Sequence, residues 1–215
     1  GRHVWVERFD RVLKDIFDVQ DDLTKKIAGS LVGKLDRATM AMALRKHPDS
    51  LDAYGLLLRG IELHWRYTPE DNAKSRRLFE KAISLDPNYA RAYAYLSRTY
   101  EADWEWWSPA NPEETYKKAL DLGYKAVALD PKDADARYIL GRTLLMGNKH
   151  DQAIVQFEEG LKANPNHADL LCGFSEAYTL NGQPEEGIKK AREALRLNPY
   201  DPVLYLWLLT FAQYV

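Results

Sequence analysis

"SLDPNYARAYAYL", residues 84–96, returns as "ALDPKDADARYIL" at 128–140, "KANPNHADLLCGF" at 162–174 and "RLNPYDPVLYLWL" at 196–208. The prolines at 87, 131, 165 and 199 stand 44, 34 and 34 residues apart. Each phrase breaks one helix at its proline and opens another whose apolar residues fall three and four apart. A fixed period of this size marks a repeat array, in which no unit buries its own apolar face and each stacks on its neighbour. The sequence therefore predicts an all-α solenoid of helix-turn-helix units.

Turn chemistry supports the same division. "NPEE" at 111–114 offers an Asn cap, a proline at the first helical position and two carboxylates near the positive helix end. "TPED" at 68–71 repeats the device, and Gly147-Asn148 and Asn181-Gly182 read as turns between helices. Units are expected at about 51–87, 88–131 with an insertion, 132–165 and 166–199, with a half unit at 200–215. In the first unit either Leu58 or Gly60 suits the small-residue slot of its first helix. The extra residues of the second unit are expected to lengthen its first helix by about two turns, because Tyr93, Leu96, Tyr100, Trp104 and Trp107 continue the helical spacing.

Ahead of residue 49 the pattern differs. "HVWVERF" at 3–9 alternates as a short strand would, and Ile16, Val19, Leu23, Ile27, Leu31 and Leu35 line one face of a long linker helix. The expected organisation is a strand-like segment and linker helix over 1–48, then the repeat domain over 49–215. A beginning without Met and an end inside a repeat suggest a piece of something larger.

Composition narrows the function. The 215 residues carry 30 basic and 32 acidic side chains, a net charge of -2, which creates no general attraction for nucleic acid or anionic membrane. Cys172 is the single cysteine and suits a reducing, cytoplasmic setting. The longest apolar run, 203–209, falls well short of the roughly 20 residues a membrane helix needs. No catalytic pattern stands out. "GSLVGKL" at 29–35 has the wrong spacing for a phosphate loop, and the five histidines are scattered rather than paired for zinc. Glu113-Glu114, Glu158-Glu159 and Glu185-Glu186 are adjacent pairs that do not share a helix face. No cofactor is expected.

Leu140, Gly141, Ala153, Phe157, Gly160 and Pro165, together with Phe174, Ser175, Tyr178, Gly187, Ala194 and Pro199, resemble the tetratricopeptide repeat pattern over roughly 51–215. Arg137, Gly123 and Leu209 depart from it. Residues 3–31, "AYGLLLRG" at 53–60 and the Trp-rich insertion resemble a narrower group, the repeat regions of bacterial class III adenylate cyclases and some winged-helix regulators. What this implies is a non-catalytic, cytoplasmic interaction and regulatory region whose parent is an adenylate cyclase. The alternatives are a dimerisation scaffold and the repeat region of a winged-helix transcriptional regulator.

The same resemblance implies a groove. Repeats that clamp acidic chaperone tails use Lys and Asn at positions filled here by Ala94 and Arg98, Tyr138 and Arg142, and Cys172 and Glu176, so that clamp is missing. The register instead offers Arg91, Arg98, Tyr138, Arg142, Asp169 and Glu176 to a protein or peptide, with an acidic segment on Arg98 and Arg142 as the expected ligand and, as the alternative, arginines that are solvated or paired with neighbouring acids. Trp106 is a candidate interaction patch, with Trp104 and Trp107 read as packing. Trp207 and Phe211, on a last helix without its partner, are expected to support a homodimer.

Overall fold

A computed structural model describes residues 53–199 and Thr210. The strand-like segment, the linker helix and the expected self-association residues Trp207 and Phe211 lie outside the described residues. Eight helices and no strand occur among those that are described: α1 (Ala53–His64), α2 (Pro69–Leu85), α3 (Ala90–Trp106), α4 (Pro112–Leu129), α5 (Ala134–Met146), α6 (His150–Ala163), α7 (Ala168–Leu180) and α8 (Pro184–Leu197). Each odd-numbered helix packs on the even-numbered one that follows. Successive odd-numbered helices also pack closely on one another, whereas the even-numbered ones stand further apart, α4 reaching α6 through the Tyr124 hydroxyl on Gln152 at 3.3 Å. The odd helices therefore form the tighter, concave wall of an α-solenoid, and the even helices its outer layer.

Local chemistry starts and stops the helices as the sequence leads one to expect. Thr68 Oγ1 accepts the Asp71 amide at 3.1 Å, Asn111 Oδ1 the Glu114 amide and Asp133 Oδ1 the Ala136 amide at 2.9 Å. Pro69, Pro112 and Pro184 sit in first turns. The turns before α6 and α8 place Asn148 (φ 57°) and Gly182 (φ 71°) in the left-handed region, at equivalent positions of the two 34-residue units.

Register in the first unit is decided by packing. A Cβ on Gly60 would stand 2.3 Å from the Phe79 ring, the same approach that Gly141 makes to Phe157. Gly60, rather than Leu58, is thus the close-contact position, and both phenylalanines are fully buried. The second unit solves the problem differently. Ser97 takes the small slot and donates to the Ala119 carbonyl at 2.7 Å, while Gly123 leaves room for Leu140 of the next unit. Arg137, out of pattern for an apolar site, donates to Gln156 and to the Pro131 carbonyl across the hairpin.

The insertion is shared rather than stacked on one helix. α3 has 17 residues against 13 in α5, and α4 has 18 against 14 in α6, so each helix of the second unit gains about one turn. The two-turn extension expected of the first helix is corrected accordingly. Trp104 packs on Tyr116 of α4, ring centres 5.1 Å apart, so lengthening both helices of the hairpin keeps their extra turns covered.

Candidate protein-interaction groove

The wall built by α1, α3, α5 and α7 carries two sets of charges. Toward the helix starts, Arg91 meets Asp133 at 3.2 Å and Asp135 at 2.9 Å, and His167 Nε2 meets Asp135 at 3.0 Å. His167 Nδ1 accepts the Leu170 amide as the cap of α7, so the proton it shares with Asp135 sits on Nε2. Asp135 is held below its ordinary range: burial opposes ionisation, but the His167 hydrogen bond and the Arg91 charge outweigh it. The Tyr138 ring lies tilted against that of His167, centres 6.2 Å apart, and Asp169 acts electrostatically on both.

Further along the same wall lies a more buried ladder. Glu101, 1% exposed, accepts from Arg98 Nη1 at 2.5 Å, from Arg142 Nε at 3.2 Å and from the Thr143 hydroxyl at 3.2 Å. Glu105 meets Arg142 at 3.1 Å and Arg98 at 3.8 Å. Burial works against the Glu101 charge, yet the two arginines hold its pKa below the usual carboxylate range. Glu176, on α7, faces the other side of Arg142 electrostatically. Burial raises its pKa, and no hydrogen bond or ion pair engages its carboxylate among the described residues.

The third part of the wall is aromatic. His64, Trp65, Tyr67, Trp106 and Trp107 form a chain of ring contacts from 5.1 to 6.5 Å. Trp65, Tyr67 and Trp106 are 49%, 51% and 38% exposed. The Arg98 guanidinium sits over Trp106, 5.4 Å from the ring centre, so the patch and the ladder are continuous. Tyr67 adopts φ 54°, a rare conformation for an aromatic residue, as it turns the chain from α1 into α2. His64 is buried and donates from Nδ1 to Asn72 Oδ1 at 3.2 Å, because the Asn72 amide nitrogen is already committed to the Thr99 carbonyl and Asp103. Its Nε2 has no hydrogen-bond partner among the described residues.

Arg91, Arg98, Tyr138, Arg142, Asp169 and Glu176 thus share the inner wall. Trp106 joins them from the end of α3. The alternative that Arg98 and Arg142 pair with neighbouring acids is the one these contacts fit, and the acids are Glu101 and Glu105, whose spacing of three and seven from Arg98 places all three on one face of α3. Trp65 and Tyr67 carried no such signal, since they lie in a turn. Cys172 is buried and burial drives its thiol pKa strongly upward, which leaves a packed, unreactive side chain. No cluster of three or more His, Cys, Asp or Glu poised for a metal occurs among the described residues. No described helix is long and apolar enough to cross a membrane.

Stacked hairpins with one charged and aromatic inner wall define a binding solenoid. Residues 113–172 and 147–202 each match a tetratricopeptide repeat family profile. Residues 113–202 are tetratricopeptide repeats, and the helix pairs reaching back to Ala53 continue the same fold. A thermophilic tetratricopeptide protein of Thermus thermophilus superposes with a TM-score of 0.67 at 17% identity, over 90% of this chain and 100% of its own. Among curated proteins the chain is similar to a provisionally named adenylate cyclase 3 of Rhizobium meliloti, 30% identical over 154 residues, 71% of this chain and 26% of that one. It is also similar to the transcriptional regulator HilA of Salmonella paratyphi A, 25% identical over 70% of this chain and 27% of HilA. The chain spans about a quarter of the length of these two relatives.

Proposed function

We propose that this chain is a non-catalytic protein-interaction and regulatory region of a larger bacterial signalling protein, an adenylate cyclase acting in the cytoplasm. The observation that carries this reading is the unbroken inner wall, where Arg91, Tyr138, Asp169 and Glu176 lie beside the Glu101 ladder on successive odd helices. Such a wall is a docking face for an extended or helical segment of another protein or of the parent. Similarity to the Rhizobium meliloti protein favours the cyclase parent, and the HilA match favours the alternative of a transcriptional regulator. A second role as a dimerisation scaffold rests on the apolar sequence around Trp207 and Phe211.

The test uses the full-length protein. Replacing Tyr138 by Ala together with Asp169 by Lys is expected to change partner capture or regulated cyclic AMP formation, with a melting curve checking that the repeat region still folds. Unchanged capture and unchanged regulation overturn the groove as the working surface. Cyclic AMP formed above a heat-killed control by the 215-residue chain alone, given ATP and manganese, overturns the non-catalytic assignment. Light scattering that gives a monomer mass at high protein concentration removes the dimerisation role.

A further inference from the structure

The acidic ligand implied by Arg98 and Arg142 meets an obstacle on this wall. Arg98 is buried, Arg142 mostly so, and both are already neutralised by Glu101 and Glu105, so an incoming carboxylate has to displace those partners. The charge count of the wall points the other way. Arg98 and Arg142 face Glu101, Glu105 and Glu176, two cations against three carboxylates. Glu176 is the carboxylate of this set for which the described residues provide neither a cation within ion-pair distance nor a hydrogen-bond donor.

The aromatic patch supplies an independent observation. Three contiguous rings, Trp65, Tyr67 and Trp106, stand a third to a half exposed at the edge of the groove, and Tyr67 holds its place in a left-handed conformation. Large exposed aromatics grouped in this way are the side chains on which binding energy concentrates at protein interfaces. Next to them His64, 2% exposed, keeps an Nε2 with no hydrogen-bond partner among the described residues, in the field of Arg98, Glu101 and Arg142.

We propose that the groove takes an extended protein segment that seats an aromatic or aliphatic side chain on Trp65, Tyr67 and Trp106 and presents a lysine or arginine to Glu176. This rests on the groove being the docking face and names the chemistry of its ligand. α3, α5 and α7 are successive wall helices, and helix axes pack about 8–10 Å apart, so the patch and Glu176 are separated by roughly 16–20 Å. About five or six residues of extended chain cover that distance. A guanidinium or ammonium reaching Glu176 gives it the counter-charge that Arg142, engaged by two other carboxylates, shares only partly. An acidic residue at the same place adds a like charge to a surface already in negative excess.

The probes are fluorescein-labelled ten-residue peptides of Gly, Ser and Ala carrying one Trp and, six positions away, Arg, Glu or Ala, each made in both sequence orders. Anisotropy with the 215-residue chain is expected to give binding of one Arg peptide at least tenfold tighter than its Glu and Ala counterparts. Glu176→Gln is expected to weaken the Arg peptide at least fivefold and to leave the Ala peptide unchanged. Trp65→Ala is expected to weaken both. Both positions are at least partly exposed, and a melting curve checks that each variant folds. A Glu peptide that binds more tightly overturns the basic ligand while keeping the groove as docking face. Failure of every peptide to bind, or an Arg peptide indifferent to Glu176→Gln, overturns this inference. The groove reading then stands or falls on the Tyr138 and Asp169 variant of the full-length protein.

Discussion

The third unit, α5 and α6, and the second, α3 and α4, hold their helix pairs together by opposite means. In the third, Gly141 lets the helices close on Phe157, a fully buried ring that also touches Phe174, and the contact is apolar. In the second, Ser97 and Gly123 replace that wedge, and the buried positions of α3 include Arg98, Thr99 and Glu101. Arg76 of α2 donates to Thr99 and to Asp103 there, and Asn72 joins the same network. The third unit keeps the seam between its helices apolar and holds its charges, Arg142 among them, on the inner wall. The second unit, which supplies Arg98, Glu101 and Glu105 to the ladder, carries charge into its interior, and that charge contributes specificity at a cost in desolvation.

This contrast can be broken from either side. Phe157→Ala should remove about 3–5 kcal/mol of stability by opening a cavity between rigid helices. Glu101→Ala should cost a comparable amount, about 3–5 kcal/mol, for a different reason, since it leaves Arg98 and Arg142 short of a buried counter-charge. Urea unfolding measures both. The discriminating variant replaces the triad and neutralises the carboxylate that shares its arginines, Arg98→Met, Glu101→Leu, Arg142→Met and Glu105→Gln. It should recover most of the loss, because a buried ion triad exchanged for apolar groups of similar volume is often neutral. A combined variant as unstable as Glu101→Ala would show that the ladder stabilises the fold directly.

His64 sharpens the comparison through pH. Burial, aided by Arg98, lowers its pKa from 6.5 to about 4, so the folded protein keeps it neutral while the unfolded chain takes up a proton below pH 6.5. The stabilisation it provides is complete above pH 6.5 and is lost as pH falls toward 4, a change on the order of 3 kcal/mol. His64→Asn retains a donor for Asn72 and should flatten this slope between pH 6.5 and 4. A slope that persists in the variant would assign it to the carboxylates.

Smaller effects follow at the periphery. Asp103→Ala should cost about 1–3 kcal/mol, because Arg76 and the Asn72 amide lose a shared acceptor at 2.6 and 2.8 Å. Gly182→Ala should cost about 1 kcal/mol, all of it backbone strain, since nothing lies within 4 Å of the added carbon. Thermal melting resolves both.

The regular parts of the molecule were the legible ones. The Leu-Asp-Pro phrase, the Thr68 and Asn111 caps and the left-handed turns at Asn148 and Gly182 each act over a few residues, and their sequence reading survives in the structure. The insertion was misjudged because a helix-like spacing continued through Trp107, while nothing in the spacing said that α4 would lengthen in step. The site was half legible. Periodicity placed Arg98, Tyr138, Arg142 and Glu176 on one wall, but whether the arginines awaited a ligand or already had partners depended on contacts across 37 to 42 residues.

By itself the sequence determined a solenoid of helical hairpins and the face each helix turns inward. Helical period, proline breaks and caps are local properties, and repetition makes each unit report on the next. Only the tertiary structure decided how charge is shared on that face. It brought Arg142 of α5 onto Glu101 and Glu105 of α3, left Glu176 of α7 without such a bond among the described residues, and set Tyr67 of a turn against Trp106 at a helix end. Those pairings depend on how adjacent helices are spaced and rotated by close packing at Gly60, Ser97 and Gly141, which side-chain spacing along the chain does not encode.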